Sequence, residues 1–220
     1  MEYTIFQTGV RPDFTDFDSP TWAGAQEQKL DYIFPESSDH HPDVRVKLLY
    51  DQTAIYGIFQ VDDRYVRAVH LEDQSMVCKD SCVEFFLQPC GSRGYHSFEL
   101  NCIGTLLSYF IRDARRIPGG FADSSKLPPE DLVLIRRYPS LPRKAVEPEH
   151  KEPLRWTIGF EIPLELFTRW GNPDPVPGSI WRGMFYKCGD ETSHPHWLSC
   201  AEYPTLNFHQ PEFFGTIIFH

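Results

Sequence analysis

Hydrophobic and polar residues alternate over short stretches along most of the chain. In residues 44–50 apolar side chains alternate with Arg45 and Lys47, and a turn at 51–53 leads to a second such stretch at 54–61. Period-two alternation predicts strands, and the short turn between them predicts a hairpin. Further strands are predicted at 82–88, 95–102, 105–112, 132–138, 155–162, 180–188 and 215–219.

Helical spacing is scarce, with one short helix predicted at 163–170 and a single turn at 128–132. Many short strands separated by glycine and proline indicate an all-β fold, here an antiparallel β-sandwich. The 19 prolines indicate long loops and edge strands, because proline cannot donate a hydrogen bond within a central ladder. The predicted core includes Leu48, Phe59, Phe85, Phe98, Trp156, Phe160 and Trp181.

Length and local charge predict the domain organisation. The 220 residues suit a single domain spanning 1–220. Residues 112–155 hold 10 basic residues, seven acidic residues and seven prolines, and only 132–138 has the pattern of a strand. We therefore predict a peripheral, basic, proline-rich insert at 113–153, carried on the sandwich as a long loop.

The net charge of −10 excludes some partners. Nucleic acids and anionic membranes are disfavoured, because both are bound through lysine and arginine. No apolar run approaches the roughly 20 residues of a membrane-spanning helix. The opening MEYTIF has no signal-peptide pattern, so the sequence as given predicts a cytoplasmic protein, or a secreted or periplasmic one if a leader has been trimmed.

Six cysteines and several histidines raise the question of a metal site. Cys78 and Cys82 are closely spaced, but a structural zinc site needs a second such couple, so buried free thiols are the favoured interpretation. A second group lies near the C-terminus and has no standard ligand spacing, which favours loop histidines bonded to backbone. Its members are Cys188, Asp190, His194, His196, Trp197 and His209. Whether either group binds a metal, and which one, is left open by the sequence.

The strand pair 82–88 and 95–102 carries the most informative polar pattern. With the turn centred in 89–94, Glu84 lies directly opposite Glu99. Cys82, Glu84, Phe86 and Gln88 then share one face with Tyr95, Ser97, Glu99 and Asn101, while the other face is apolar. Like charges directly opposite each other are unfavourable. We expect compensation by Arg93 or Arg112, a shared proton, a cation or the hydroxyl groups of a ligand.

Catalytic and cofactor motifs are sparse. The chain has no GxSxG, GxGxxG or GxxxxGK[ST] string. The Glu84/Glu99 pair could act as acid and base in glycoside hydrolysis, and Met76, Met184 and the histidines could ligate haem. Trp170 and Trp197 lie near loops and are candidates for stacking on a sugar ring.

Several strings, in this order and with this spacing, resemble the family 9-like carbohydrate-binding modules. They are RVKLLYDQTAIYGIFQVDD (45–63), DSCVEFFLQP (80–89), YHSFELNCIG (95–104), RWTIGFEIPLELF (155–167), WRGMFYKCGDE (181–191) and FHQPEFFGTIIF (208–219). The resemblance implies a sandwich of immunoglobulin-like or jelly-roll type that binds sugars without catalysis, in polysaccharide or oligosaccharide catabolism. It also implies a glycoside hydrolase partner and structural calcium; related sandwiches bind haem.

The resemblance also implies site residues. One stacking tryptophan of the family falls at Val77 or Cys78 and the other at Phe208, the strand glutamate matches Glu84, and an arginine is replaced by Glu99. The candidate ligand-binding residues are Glu84, Glu99, Asn101, Tyr95, Tyr186, Trp197, Phe208 and His209.

Overall fold

Strands dominate the computed structural model, which describes residues 1–220. They are β1 (Glu2–Gln7), β2 (Glu27–Lys29), β3 (Tyr32–Ile33), β4 (Asp43–Tyr50), β5 (Ala54–Asp63), β6 (Val66–Ala68), β7 (Cys82–Gln88), β8 (Tyr95–Asn101), β9 (Leu106–Ile117), β10 (Gly120–Lys126), β11 (Arg136–Pro139), β12 (Val146–His150), β13 (Leu154–Pro163), β14 (Ile180–Cys188), β15 (Trp197–Ser199) and β16 (Gly215–Phe219). The helices are α1 (Pro129–Leu132), α2 (Leu164–Arg169) and 3-10 turns at Pro20–Trp22, Val77–Lys79 and Pro211–Phe213. No helix combines the length and the apolar character that crossing a membrane requires.

Two sheets meet at β1. The first sheet runs β10-β9-β8-β7-β14-β16-β1, and the second runs β1-β4-β5-β13-β11. The first four residues of β1 pair with β16 and its last two pair with β4, both in parallel. The other neighbours along both sheets are antiparallel, so the predicted antiparallel β-sandwich is confirmed.

The core lies between the two sheets, where alternate side chains of each strand meet. Phe59 lies 6.1 Å from Phe185 and Phe85 lies 6.2 Å from Phe160 between ring centroids, across the sandwich. All seven predicted core residues are at most 1% exposed. The backbone at Gly57 runs so close to the Phe160 ring that a Cβ there would lie 2.1 Å from a ring carbon.

The interpretation of residues 113–153 as a long loop is wrong. Strand β9 continues to Ile117 and returns as β10, which forms the edge of the first sheet. Gly119 and Gly120 form the turn with φ of 96° and 149°. The hairpin escaped prediction because its residues are exposed or half-buried on both sides, so its sequence lacks apolar alternation. Strand β11 also begins at Arg136 rather than at 132, because α1 occupies the preceding residues.

Candidate functional site

The outer face of the first sheet, which points away from the sandwich core, carries the polar strand pair. Strands β7 and β8 pair in the predicted register, with Cys82 opposite Asn101 and Glu84 opposite Glu99. Strand β14 places Tyr186 beside Glu84, and strand β9 places Leu107 beside Glu99. Four adjacent strands therefore bring their outward side chains to one surface around the two carboxyl groups.

Residues 200–214, the C-terminal segment, pack on this outer face. The Tyr186 hydroxyl donates to the Phe208 carbonyl at 2.9 Å, and the two rings stack with centroids 4.2 Å apart. The Tyr186 hydroxyl also lies 2.6 Å from that of Tyr203. The Tyr95 hydroxyl lies 2.8 Å from His209 Nδ1. These tyrosines hold Phe208 and His209 above the strands.

A cavity of about 340 Å³ opens between the strands and the C-terminal segment. This volume lies within the usual range for small-ligand pockets. Its aromatic lining residues are Tyr109, Phe121, Trp197, Phe208 and His209, and its charged lining residues are Glu84, Glu99, Arg116 and Asp190. The remaining lining residues are Met76, Cys78, Leu107, Cys188, Leu206 and Asn207. Apolar rings beside a few convergent polar groups suit a small ligand that has both apolar and polar surface.

Five of the eight candidate residues line this cavity: Glu84, Glu99, Trp197, Phe208 and His209. Tyr95 and Tyr186 lie behind it as supports. Asn101 lies outside the cavity and is fully buried. Its amide nitrogen donates to Asp80 and to the His70 carbonyl, both at 2.9 Å. Its carbonyl oxygen accepts from the Thr105 backbone at 2.8 Å. The structure thus gives Asn101 a role in the β8–β9 turn.

The arginine that lines the cavity is one that the sequence analysis did not name. Arg93 and Arg112 were the candidate arginines for compensating the glutamates, but neither lines the cavity. Arg112 instead pairs with Asp123 across the hairpin at 3.2 Å. Arg116 lines the cavity, with its guanidinium carbon 4.1 Å from the centre of the Phe121 ring. The signal that could have found it is the Pro-Gly-Gly sequence at 118–120, which predicts a hairpin turn.

The two glutamates are almost completely enclosed and poorly partnered. Glu84 is 3% exposed and accepts one bond from the Cys188 thiol at 3.2 Å, and Glu99 is 4% exposed and accepts one from the Ser97 hydroxyl at 3.3 Å. Neither forms an ion pair within 4.0 Å. Burial raises the pKa of both carboxyl groups, that of Glu99 to about 7, and the charge of Glu99 raises the pKa of Glu84 further. Arg116 opposes both increases but does not cancel them.

A third carboxyl group, that of Asp190, borders the cavity. Asp190 is exposed, but partial desolvation of its carboxyl group raises its pKa, although the Trp197 indole N–H donates to it at 2.7 Å and acts in the opposite direction. The same bond fixes the orientation of the Trp197 ring at the cavity wall. Asp190 therefore both positions an aromatic side chain and adds acidic character to the site.

Two clusters have the side chains that metals bind. One is His40, Asp63 and His196, and the other is Cys82, Glu84 and Cys188. Calcium takes six to eight oxygen ligands, so clusters of imidazole and thiol do not fit it. In the first cluster the ammonium group of Lys187 lies 2.6 Å from His196 Nε2 and already supplies a positive charge.

The loop histidines and the thiols have ordinary structural surroundings. His194 stacks on Tyr65, with centroids 3.7 Å apart, and His196 Nδ1 lies 2.9 Å from the His194 carbonyl. All six cysteines are free, and four of them are buried. The favoured interpretation therefore holds for the four buried thiols and for His196, whereas His194 bonds to the Ser193 hydroxyl and His209 to that of Tyr95.

Comparisons with solved structures show the same fold in other proteins. The chain is similar to a Bacteroides uniformis protein, described as a candidate carbohydrate-binding protein, with 28% identity, a TM-score of 0.85 and coverage of 100% of this chain and 99% of that one. It is also similar to a family 9 carbohydrate-binding module of Caldicellulosiruptor kristjanssonii, solved with glucose (15% identity, TM-score 0.61, 100% and 96% covered) and with cellotriose (16%, 0.61, 100% and 93%). No curated protein gives a match.

These comparisons give no support to the glycoside hydrolase or haem-binding alternatives. The family model described as carbohydrate-binding family 9 matches residues 21–219, which is most of the chain. The resemblance found in the sequence is thereby confirmed. The chain belongs to carbohydrate-binding family 9.

Proposed function

We propose that the cavity on the outer face of the first sheet is the carbohydrate-binding site, and that the protein binds its sugar without cleaving it. The observation that carries the proposal is that one cavity holds both aromatic rings and carboxyl oxygens that have few hydrogen-bond partners. The family assignment supports it, as do the complexes of the Caldicellulosiruptor module with glucose and cellotriose. A glycoside hydrolase partner in polysaccharide or oligosaccharide breakdown is part of the same proposal.

The chemistry of the cavity suits a sugar on both of its surfaces. A sugar ring has an apolar C–H face, which packs well on the rings of Trp197 and Phe208. Its hydroxyl groups donate and accept hydrogen bonds. An ionised carboxyl group offers about four acceptor positions, and a protonated one accepts and also donates one bond. Glu84 and Glu99 each use one of these positions within the protein. The remaining acceptor positions match a ligand that is rich in hydroxyl groups.

A matched pair of tryptophan variants tests this proposal. Trp197 and Trp170 are both half-buried, and each indole N–H donates to an aspartate, Asp190 at 2.7 Å and Asp131 at 2.9 Å. Only Trp197 lines the cavity. In calorimetric titrations with glucose and cellotriose, we expect Trp197→Ala to weaken binding about tenfold or more. Trp170→Ala should bind as the wild-type protein does.

Equal effects of the two tryptophan variants would contradict the placement of the site. A wild-type protein that binds neither these sugars nor any member of a glycan array would contradict the proposed function itself. Thermal melting of both variants shows whether a loss of affinity reflects the site or a loss of folded protein.

A further inference from the structure

The charges around the cavity do not balance. Three carboxyl groups line it, those of Glu84, Glu99 and Asp190, and Arg116 is the only lysine or arginine that does. His209 adds no positive charge, because burial lowers its pKa to about 3. The wall as a whole is acidic, and a cation in the cavity would meet complementary charge on several sides.

Nearby basic side chains have other partners. Lys126 donates to the Gln74 carbonyl at 2.7 Å, and Lys79 pairs with Glu191 at 2.7 Å. Neither lines the cavity. The remaining polar lining groups, such as the Cys78 thiol and the Tyr109 phenol, are neutral, since burial raises the pKa of each. No other group of the chain is therefore placed to neutralise the glutamate pair.

Glu84 and Glu99 are the most deeply placed of these acids. Each is more than nine-tenths buried, lies directly opposite the other, and has most of its acceptor positions unused. Without a cation the pair holds a proton, because burial raises both pKa values. A neutral hydroxyl group can fill an acceptor position but does not allow both carboxyl groups to ionise. A buried carboxylate is stable when it is both hydrogen-bonded and paired with an opposite charge.

We infer that the sugar bound in this cavity carries a free amino group, whose ammonium form binds between Glu84 and Glu99. This inference rests on the proposed function and names its ligand class, an amino sugar. An ammonium group has three donors and one positive charge, so it meets both needs of the carboxyl pair. The aromatic rings would still contact the C–H face of the sugar.

Arg116 is the one feature that could favour an acidic sugar instead. Its charge acts on both glutamates, lowering the pKa of each. A sugar carboxylate in the cavity would add a fourth carboxyl group beside one arginine. Acidic sugars should therefore bind more weakly than neutral ones, and amino sugars more tightly.

A panel of single-position analogues tests the inference by calorimetry at neutral pH. The panel is glucose, its four deoxyamino analogues with the amine at carbon 2, 3, 4 or 6, N-acetylglucosamine and glucuronic acid. At least one amino analogue should bind about tenfold more tightly than glucose, because a charge-assisted bond is roughly twice as strong as a neutral one. N-Acetylation should abolish the gain, and glucuronic acid should bind most weakly.

Glu99→Gln and Glu84→Gln keep the shape of the side chain and remove its charge. In either variant the ratio of amino-sugar to glucose affinity should fall towards one. Glu130→Gln alters an exposed glutamate outside the cavity and is the matched control, for which the ratio should not change.

The outcomes separate this inference from the proposed function. If glucose binds and no amino analogue binds more tightly, or if the preference survives both variants, the inference is wrong and sugar binding stands. If no sugar binds at all, the proposed function fails and the inference fails with it.

Discussion

Two of the places where this molecule buries carboxyl groups treat the charge in opposite ways. Asp63 is 4% exposed, much like Glu84 and Glu99. Burial alone would raise its pKa, but the Lys187 ammonium 3.7 Å away and the bond with His40 lower it well below the ordinary value. On the outer face of the first sheet, burial raises the pKa of both glutamates because no such partner is present.

The contrast shows how a structural acid differs from one available to a ligand. Asp63 has its acceptor positions filled by the chain itself, from His40 at 2.8 Å, the Arg64 backbone at 2.8 Å and the Trp156 indole at 3.1 Å. Degree of burial does not distinguish the two places. The difference lies in whether the fold supplies the partners, and at the glutamate pair it does not.

The largest effect should follow from breaking the ion pair between Asp63 and Lys187. Lys187→Met leaves Asp63 buried without its cation, and we expect the free energy of unfolding in urea to fall by about 3–5 kcal/mol. The double variant Asp63→Asn/Lys187→Met removes both charges and should recover part of the loss. Sugar affinity of the folded single variant should remain at the wild-type level.

A loss below about 1 kcal/mol for Lys187→Met would contradict the role assigned to this ion pair. The role would also be contradicted if the double variant were less stable than Lys187→Met by the full cost of a second buried defect. Either result would mean that Asp63 does not depend on Lys187. Asp63 would then no longer be an example of a buried acid whose charge the fold compensates.

The pH dependence of stability should have opposite signs at the two sites. The folded protein holds a proton at the glutamate pair that the unfolded chain releases above about pH 4.5, so this pair lowers stability as pH rises towards 7. Asp63 contributes stability that is present above about pH 4 and is lost as the pH falls further.

Buried histidines also titrate, so the measurement is a difference between proteins. Burial lowers the pKa of His96, His196 and His209 to about 3, and each adds stability as pH rises towards 6.5. The Glu84→Gln/Glu99→Gln variant keeps these groups. Its advantage over wild type in unfolding free energy should grow from near zero at pH 4 to roughly 1–3 kcal/mol at pH 8. A constant difference across this range would contradict the raised pKa values.

The sequence predicted the outer-face pair well because its determinants are local. Strand β7 and strand β14 have the predicted bounds, and a short turn fixes the register that places Glu84 opposite Glu99. Alternation in the predicted strand at 105–112 could also have placed Leu107 and Tyr109 on this face. The hairpin that brings Arg116 was missed, since exposed strands need no apolar alternation.

The pairing of Asp63 with Lys187 could not be predicted in the same way. Asp63 lies just beyond the strand predicted at 54–61, and Lys187 lies in the strand predicted at 180–188, far along the chain. Neither position carries a local signal for its partner. Their pairing follows from the packing of the two sheets, which brings the end of β5 next to β14.

The smallest effect concerns the thiols around Glu84. All six cysteines are free, and Cys188 donates to Glu84 rather than bonding to another sulfur. Adding a reductant should therefore shift the melting temperature by less than a few degrees, whereas loss of a disulfide typically costs 2–5 kcal/mol. A larger shift would show that disulfides contribute and that the hydrogen bond to Glu84 is not the resting arrangement.

The most direct test of the account is Glu99→Ala, measured by calorimetric titration and by thermal melting. For the sugar that wild type binds most tightly, affinity should fall about ten- to a hundredfold, because a charge-assisted bond worth roughly 1.5–3 kcal/mol is lost. Stability should stay the same or rise, because one of two opposed carboxyl groups is gone. A variant that is less stable but binds normally would show that the pair belongs to the fold, as Asp63 does, and that the site lies elsewhere.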